Sequence, residues 1–85
     1  MAKQRKSKAR LFHEEMTRLP PGHDWTDAIK AKYAGLTQAE IMAELGQPAQ
    51  WLQAPNGDPI ARYMSGTGFL DLRFTGGKLS GSHHG

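Results

Sequence analysis

The side chains that could do chemistry in this 85-residue chain are four histidines and several neighbouring carboxylates, because cysteine is absent. His13 and Glu14 are adjacent on a predicted helix, where neighbouring side chains point about 100° apart. No two histidines have the i, i+4 spacing of a helical zinc site. His23 lies in a predicted loop, and His83 and His84 fall in a short Gly/His segment predicted to be flexible. We therefore expect no metal site and no cofactor.

The carboxylates and hydroxyls show no catalytic arrangement. Acid and base catalysis needs carboxylates in a dry pocket, whereas the acidic pairs have ordinary positions as caps, first-turn charges or exposed helix residues. These pairs are Glu14 with Glu15, Asp24 with Asp27, and Glu40 with Glu44. No serine has a nucleophile-elbow context, and SGTG at 65–68 lacks the lysine and following helix of a phosphate-binding loop. The sequence predicts a protein that is not an enzyme.

Positive charge is concentrated at the beginning of the chain. The formal net charge is +3, and the first ten residues contain five basic side chains and no acidic one. These side chains are Lys3, Arg5, Lys6, Lys8 and Arg10. We expect residues 1–7 to form a basic, disordered arm. Such an arm either aids solubility or contacts an anionic partner such as nucleic acid, without reading its sequence.

The composition does not indicate export or membrane insertion. The N-terminal segment is charged from Lys3 onward and has no apolar run of about 7 to 15 residues, which a secretory signal needs. No stretch reaches the roughly 18 to 20 consecutive apolar residues of a membrane-spanning helix. A chain without cysteine also suits a reducing compartment. We expect a cytoplasmic protein that makes no membrane contact.

Two helices are predicted in the N-terminal part of the chain. Apolar residues recur at helical spacing after Ser7, a good N-cap, and Pro20 forbids continuation, so the first helix should span residues 8–18. A second helix is expected over 25–33, with Asp24 as its N-cap and a glycine after its last turn. The apolar stripes of both helices should face the core.

The segment GLTQAEIMAELGQP, residues 35–48, specifies a third short helix. Thr37 and Glu40 have the spacing of a capping box, in which each side chain satisfies a backbone N–H of the other residue. Leu36 and Ile41 are placed to form the hydrophobic staple that accompanies such a box. The Leu-Gly-x-Pro sequence then ends the helix. The residues of this structural motif are Gly35, Leu36, Thr37, Glu40, Leu45, Gly46 and Pro48.

After Pro48 the hydrophobic pattern changes from helical to alternating. WLQA at 51–54 and PIARYM at 59–64 flank the turn-forming residues PNGD, which predicts a hairpin. FLDLRF at 69–74 alternates apolar with polar or aromatic residues, as a strand with one buried and one wet face does. A short, weak last strand is expected in KLSGS at 78–82.

These elements predict an α+β fold in which two or three short N-terminal helices pack on one face of a three- or four-stranded antiparallel β-meander. Residues 8–82 should form a single domain, with a flexible tail at 83–85. The core is expected to be small, since a chain of this length buries only about 60 to 65% of its unfolded surface.

An alternative interpretation places residues 37–46 in the first helix of a DNA-binding helix-turn-helix. TQAEIMAELG matches the usual pattern, except that Met42 occupies a position where a small residue lets two helices cross closely. The recognition helix would bring polar or basic side chains to base edges. The prolines and glycine of PNGDP leave it only about six residues, and no Arg or Lys occurs between Lys32 and Arg62. We therefore rank this interpretation below the helix-then-sheet fold.

The same segment resembles a signature of the BamE-like family of small outer-membrane-assembly lipoproteins, also called SmpA/OmlA, and of their soluble relatives. In that family Gly, an apolar residue and Thr introduce a short helix that closes with Leu-Gly-x-Pro, as residues 35–37 and 45–48 do here. A Tyr-bearing strand, a glycine-containing turn, an alternating strand and a GGKL turn extend the similarity over 34–82.

The BamE-like resemblance implies helices packed on a three-stranded antiparallel sheet, no enzymatic activity, and a role in holding or inhibiting a protein partner. The lipoprotein members carry a signal peptide and a lipidated cysteine, which this sequence does not show. Outer-membrane assembly is therefore not part of what the resemblance implies for this chain.

If helices cover one face of the sheet, the other face can bind a partner. Exposed aromatic and arginine side chains are typical interface anchors, so we expect a partner-binding surface among Trp51, Arg62, Tyr63, Phe69 and Arg73. In the alternative interpretation the aromatic residues belong to the core. The last strand could instead pair with a partner's sheet or a second copy. We expect a protein-binding adaptor or inhibitor, monomeric or homodimeric, with a nucleic-acid-associated protein as the alternative.

Overall fold

A computed structural model describes residues 6–66 and 68–85. The predicted basic arm therefore falls mostly outside the described residues. Along the described chain three helices and five strands follow one another. They are α1 (Lys8–Arg18), β1 (His23–Asp24), α2 (Asp27–Tyr33), α3 (Gln38–Leu45), β2 (Gln50–Gln53), β3 (Pro59–Ser65), β4 (Gly68–Thr75) and β5 (Lys78–His84). The prediction of an α+β fold with N-terminal helices against an antiparallel sheet is confirmed.

α1 begins and ends where local sequence chemistry requires. The Ser7 hydroxyl accepts the backbone N–H of Arg10 at 3.1 Å, and the helix ends at Arg18, just before the prolines at 20 and 21. Its buried face includes Phe12 and Met16. Both bounds agree with the prediction, because capping and proline chemistry act through near neighbours.

α2 starts later than the sequence predicts. Thr26 is the N-cap in place of Asp24, and its hydroxyl accepts the Ile29 N–H at 3.2 Å. Asp24 lies in β1, a two-residue strand that pairs with β5, and the N–H of Trp25 also donates to β5. These long-range hydrogen bonds keep the segment before α2 extended, so the helix cannot begin there.

α3 has the predicted capping box. The Thr37 hydroxyl accepts the Glu40 N–H, and the Glu40 carboxylate accepts the Thr37 N–H, each at 3.1 Å. The hydrogen bond from the Thr37 N–H lowers the pKa of Glu40. Leu36 and Ile41 are both buried, as the predicted staple requires. The helix ends at Gly46, whose φ of 77° favours glycine.

The sheet has the strand order β1-β5-β4-β3-β2, and its neighbouring strands are antiparallel. β2 to β5 form the predicted meander. A bulge between Arg73 and Phe74 shifts the register of β4 against β5. β1 is a further strand that the sequence analysis did not predict, because its two polar residues show no hydrophobic alternation.

β5 continues beyond its predicted end, through His84. His84 is buried, and its Nδ1 lies 2.7 Å from the carbonyl oxygen of Leu19. Gly85 exchanges two backbone hydrogen bonds with Phe69. The prediction of a flexible tail at 83–85 is therefore wrong, since hydrogen bonds to β1, β4 and the end of α1 hold these residues.

The core lies between the helices and one face of the sheet. Phe12 is fully buried, and its ring meets those of Trp25 and Tyr33 edge-on, with centroids 6.3 and 5.6 Å away. Alternation along β3 and β4 turns five side chains towards the helices, each at most 7% exposed: Ala61, Tyr63, Leu70, Leu72 and Phe74. The described helices lie on this side, so none of them covers the other face of the sheet.

Candidate functional site

The face of the sheet turned away from the helices, here called the open face, is the candidate site. Because directly opposed residues of antiparallel strands share a face, the register arranges its side chains in rows across the strands. The rows are Leu52, Ile60, Arg73, Gly81; then Gln50, Arg62, Asp71, His83; then Met64, Phe69. β1 adds Asp24 beside His83.

Arg62 is held in a fixed orientation on the open face. Its Nε and Nη2 donate to the two carboxylate oxygens of Asp71 at 2.8 and 3.0 Å, a bidentate geometry suited to a guanidinium. The guanidinium carbon lies 4.1 Å from the centre of the Phe69 ring, within the range of a cation–π interaction. The hydrogen bonds to Asp71 raise the pKa of Arg62, so its charge is retained.

Arg73 is paired with a carboxylate that precedes β3. Its Nε donates to Oδ2 of Asp58 at 3.1 Å, and Thr75 Oγ1 donates to the same oxygen at 2.8 Å. The hydrogen bonds from Thr75 and Asn56 are the main causes that lower the pKa of Asp58. Both arginines of the open face are therefore paired with aspartates in defined positions.

A hollow of about 300 Å³ lies between these groups. Its lining consists of Asp24, Trp25, Ile60, Asp71, Arg73, Gly81, Ser82 and His83. Gly81 leaves a gap in the row because it has no side chain; a Cβ there would lie 3.6 Å from the Cβ of Arg73. Nδ1 of His83 lies 2.7 Å from Oδ1 of Asp24 at the margin of the hollow.

The structure brings three of the five predicted partner-binding residues together and separates the other two from them. The open face contains Arg62, Phe69 and Arg73. Tyr63 is only 7% exposed, and its hydroxyl donates to the carbonyl of Gly46 at 2.8 Å, so its assignment to this surface is wrong. Trp51 is 42% exposed, but it pairs with Ala61 and therefore lies on the helix side, at the sheet edge.

The errors at Tyr63 and Trp51 have a common physical cause. Period-two alternation separates the two sets of side chains along a strand, but it does not say which set the helices cover. Tyr63 belongs to the core because its ring is buried and its hydroxyl donates to the carbonyl of Gly46, which α3 leaves without a helical partner.

Met64, Asp71 and His83 belong to the open face but were not among the predicted site residues. Met64 is 61% exposed. Met64 lies two residues from Arg62 on β3, and Asp71 lies two residues from Arg73 on β4. The alternation of side chains along each strand could therefore have identified both. His83 could not be found locally, because its position depends on the long-range pairing of β1 with β5.

The basic residues proposed for nucleic-acid contact are only partly described. The structure describes Lys6, Lys8 and Arg10, whereas Lys3 and Arg5 lie outside the described residues. Lys6 Nζ and Arg10 Nε approach the carboxylate of Glu14 at 2.9 and 3.5 Å, and the Lys6 hydrogen bond is the main cause that lowers the pKa of Glu14. Exposed ion pairs of this kind are weak, so these cations remain accessible to another anion.

The structure removes the helix-turn-helix alternative, because Gln50–Gln53 form strand β2 where the recognition helix would have to be. Within residues 6–66 and 68–85, no group of three or more His, Cys, Asp or Glu side chains is arranged to hold a metal. None of the described helices combines the length and apolar character needed to cross a membrane.

Comparison of the chain with protein-family models, curated proteins and solved structures finds no match. The resemblance to the BamE-like family therefore stays a prediction.

Proposed function

We propose that this protein is a non-catalytic cytoplasmic module, an adaptor or inhibitor, that binds a partner protein through its open face. The observation that carries the proposal is the cluster of Arg62, Phe69 and Asp71, which is fixed between the hollow and the exposed Met64. Arginine and aromatic side chains dominate the binding energy of many protein interfaces.

The fixed geometry of the cluster supports this role. Immobilising a flexible side chain on binding costs about 0.5 to 1.5 kcal/mol. Asp71 already orients Arg62, and Asp58 already orients Arg73, so a partner would find both guanidinium groups in place. Met64 is flexible and apolar, and such a side chain adapts to the shape of a bound surface.

The charge of the open face favours a protein partner over nucleic acid. Its two arginines are each paired with an aspartate, and Asp24 adds a third carboxylate beside His83. Binding to a phosphate backbone depends on a surplus of cations that displaces counterions. The open face has no such surplus, whereas it has the mixed polar and apolar character of a protein interface.

The ionisation of the open face also supports a non-catalytic role. A general acid or base works best when its pKa lies near the working pH. Here the pKa of Arg62 is raised and that of Asp58 is lowered, and both shifts lead away from neutrality. The cytoplasm is the proposed compartment because a chain without cysteine gains no disulfide from an oxidising one.

A BamE-like scaffold is part of the proposal. It is supported by the order of the elements, a capped helix at 38–45 followed by an antiparallel meander, and by the GGKL turn between β4 and β5. The sheet differs from the three-stranded one that the resemblance implies, since it has five strands. A fold of this kind that binds proteins through its sheet would need no cofactor.

The proposal is tested with two matched double variants in a capture experiment. The first combines Arg62→Ala with Phe69→Ala on the open face; the control combines Arg18→Ala with Leu11→Ala, which are exposed on α1. Immobilised wild type and both variants are incubated with extract of the source organism, with and without nuclease. We expect the open-face variant to capture its partner at least tenfold more weakly, a loss of about 1.4 kcal/mol, and the control to capture it normally.

Two results would contradict the proposal. One is loss of the captured protein with the α1 control but not with the open-face variant, which would move the binding surface to the helices. The other is capture that disappears after nuclease treatment, which would favour the nucleic-acid alternative. Thermal unfolding of each variant shows whether a loss of binding merely reflects a loss of fold.

A further inference from the structure

The two edges of the sheet differ in how their backbone groups are satisfied. The last strand, which the sequence suggested could pair with a partner's sheet or a second copy, is β5, and its outer edge is covered towards both of its ends. β1 pairs with its end, Trp25 donates to Ser82, and Leu79 exchanges hydrogen bonds with Gly35 and Leu36. β2, at the other edge, pairs only with β3 among the described strands.

The backbone groups that β2 turns outward can be identified from its pairing. Ala54 donates its N–H to Asp58 at 2.8 Å, so this is a hydrogen-bonded pair of the β2–β3 ladder. Such pairs alternate along antiparallel strands. The backbone N–H and C=O groups of Leu52 therefore point towards β3, whereas those of Trp51 and Gln53 point away from it.

Apart from the shortness of β2 and the prolines that flank it, this edge lacks, in the described part of the chain, the usual features that prevent strand pairing. Proteins protect exposed edges with charged side chains, prolines or coverage by another element. Between Pro48 and Pro55 the sequence is AQWLQA, without a charge or a proline. Trp51, 42% exposed, lies at the same edge.

We propose that β2 pairs antiparallel with β2 of a second copy, about a two-fold axis at Leu52. Within β2 (Gln50–Gln53), the outward backbone groups are those of Trp51 and Gln53, so the pairing that uses all of them places Trp51 of one copy opposite Gln53 of the other. In this register Leu52 lies directly opposite Leu52 of the second copy. The two sheets join into one, and the open faces become continuous.

A second copy fits this edge for reasons of length and charge. The prolines that bound β2 limit the segment to a few residues, and an identical segment has the same length and satisfies the same outward groups. Because AQWLQA is uncharged, pairing two copies places no like charges opposite each other. The inference does not depend on the proposed function, since the dimer uses the edge and leaves the open face accessible.

Cysteine cross-linking tests the proposed register in a chain that has no other cysteine. Leu52 and its counterpart form a non-hydrogen-bonded pair, for which Cα atoms lie about 4.5 Å apart, within the range for a disulfide. Leu52→Cys should therefore give a disulfide-linked dimer on mild oxidation. The control is Gln50→Cys on the same strand face, because positions 50 of the two copies would be about 13 Å apart. Equal cross-linking of both variants, or none at position 52, would overturn the register.

Sedimentation equilibrium tests the dimer itself. The short edge predicts a weak, concentration-dependent dimer, since strong complexes bury about 1,200 to 2,000 Å². Leu52→Lys and Leu52→Glu should each dimerise at least tenfold more weakly than the wild type, because like charges meet at the axis. An equimolar mixture of the two variants should restore dimerisation. Wild type that stays monomeric at the highest attainable concentration, or variants that dimerise unchanged, would refute the proposal; unchanged melting temperatures confirm that both variants are folded.

Discussion

Replacing Tyr63 with Phe separates a structural role of this side chain from the role in partner binding that the sequence suggested. The change removes only the hydroxyl group that donates to the Gly46 carbonyl at 2.8 Å, while the ring stays in the core. A net hydrogen bond contributes about 0.5 to 1.5 kcal/mol. We expect Tyr63→Phe to lower the free energy of unfolding by about 1 kcal/mol.

Urea and thermal unfolding measure this loss. For a domain of this size, 1 kcal/mol corresponds to a decrease of roughly 4 to 8 °C in Tm, and the urea m-value should not change because the fold is the same. Burial also raises the pKa of Tyr63. The folded state therefore holds the phenolic proton to higher pH than the unfolded state, and stability decreases as pH rises above the ordinary tyrosine value of 10.0. Tyr63→Phe should reduce this alkaline loss, while burial of Tyr33, whose pKa is also raised, maintains part of it.

Partner capture by the same variant completes the test. Because Tyr63 faces the helices, Tyr63→Phe should capture the partner as strongly as the wild type. The control is Phe69→Ala on the open face, which should weaken capture more than it weakens the fold. An unchanged free energy of unfolding for Tyr63→Phe would refute the structural role of its hydroxyl. Weaker capture by a stable Tyr63→Phe variant would contradict the assignment of the binding surface.

Three further predictions concern the core, the capping box and acid stability. Leu72 is fully buried, so Leu72→Asp should abolish cooperative thermal unfolding, because burying an unpaired carboxylate costs several kcal/mol; a cooperative transition in this variant would disprove the core assignment. Thr37→Ala should lower the free energy of unfolding by about 1 kcal/mol in urea titrations, and no loss would mean that the capping box does not stabilise α3. Burial lowers the pKa of His13 from 6.5, so the unfolded chain binds the proton first and stability should decrease as pH falls from about 6.5. His13→Gln should flatten this part of a stability–pH curve, and an unchanged slope would contradict the burial effect.

The parts of the fold that follow from near neighbours could be predicted from the sequence. Ser7 and the capping box of Thr37 with Glu40 are local signals, and both cap their helices as expected. The alternation in β4 correctly indicated one buried and one wet face, with Leu72 on the buried one. These features depend on hydrogen bonds and side-chain spacing within a few residues.

The features that the sequence did not predict depend on long-range contacts. β1 and the end of β5 stabilise each other by pairing His23 with His84, and neither segment alone has the pattern of a strand. The same pairing moves the start of α2 from Asp24 to Thr26. The open face itself could be divided from the buried face by alternation, but only the position of the helices showed that Tyr63 belongs to the buried one.

Site-specific photo-cross-linking tests most directly whether the open face is the partner-binding surface. A photoreactive amino acid is introduced in place of Met64, 61% exposed on the open face, or of Leu11, 41% exposed on α1. Irradiation in cells of the source organism, followed by analysis of the cross-linked products, identifies which surface contacts another macromolecule. The proposed function predicts a cross-linked partner protein from position 64 and none from position 11. Cross-linking of a partner protein from position 11 alone, or of nucleic acid from position 64, would contradict it.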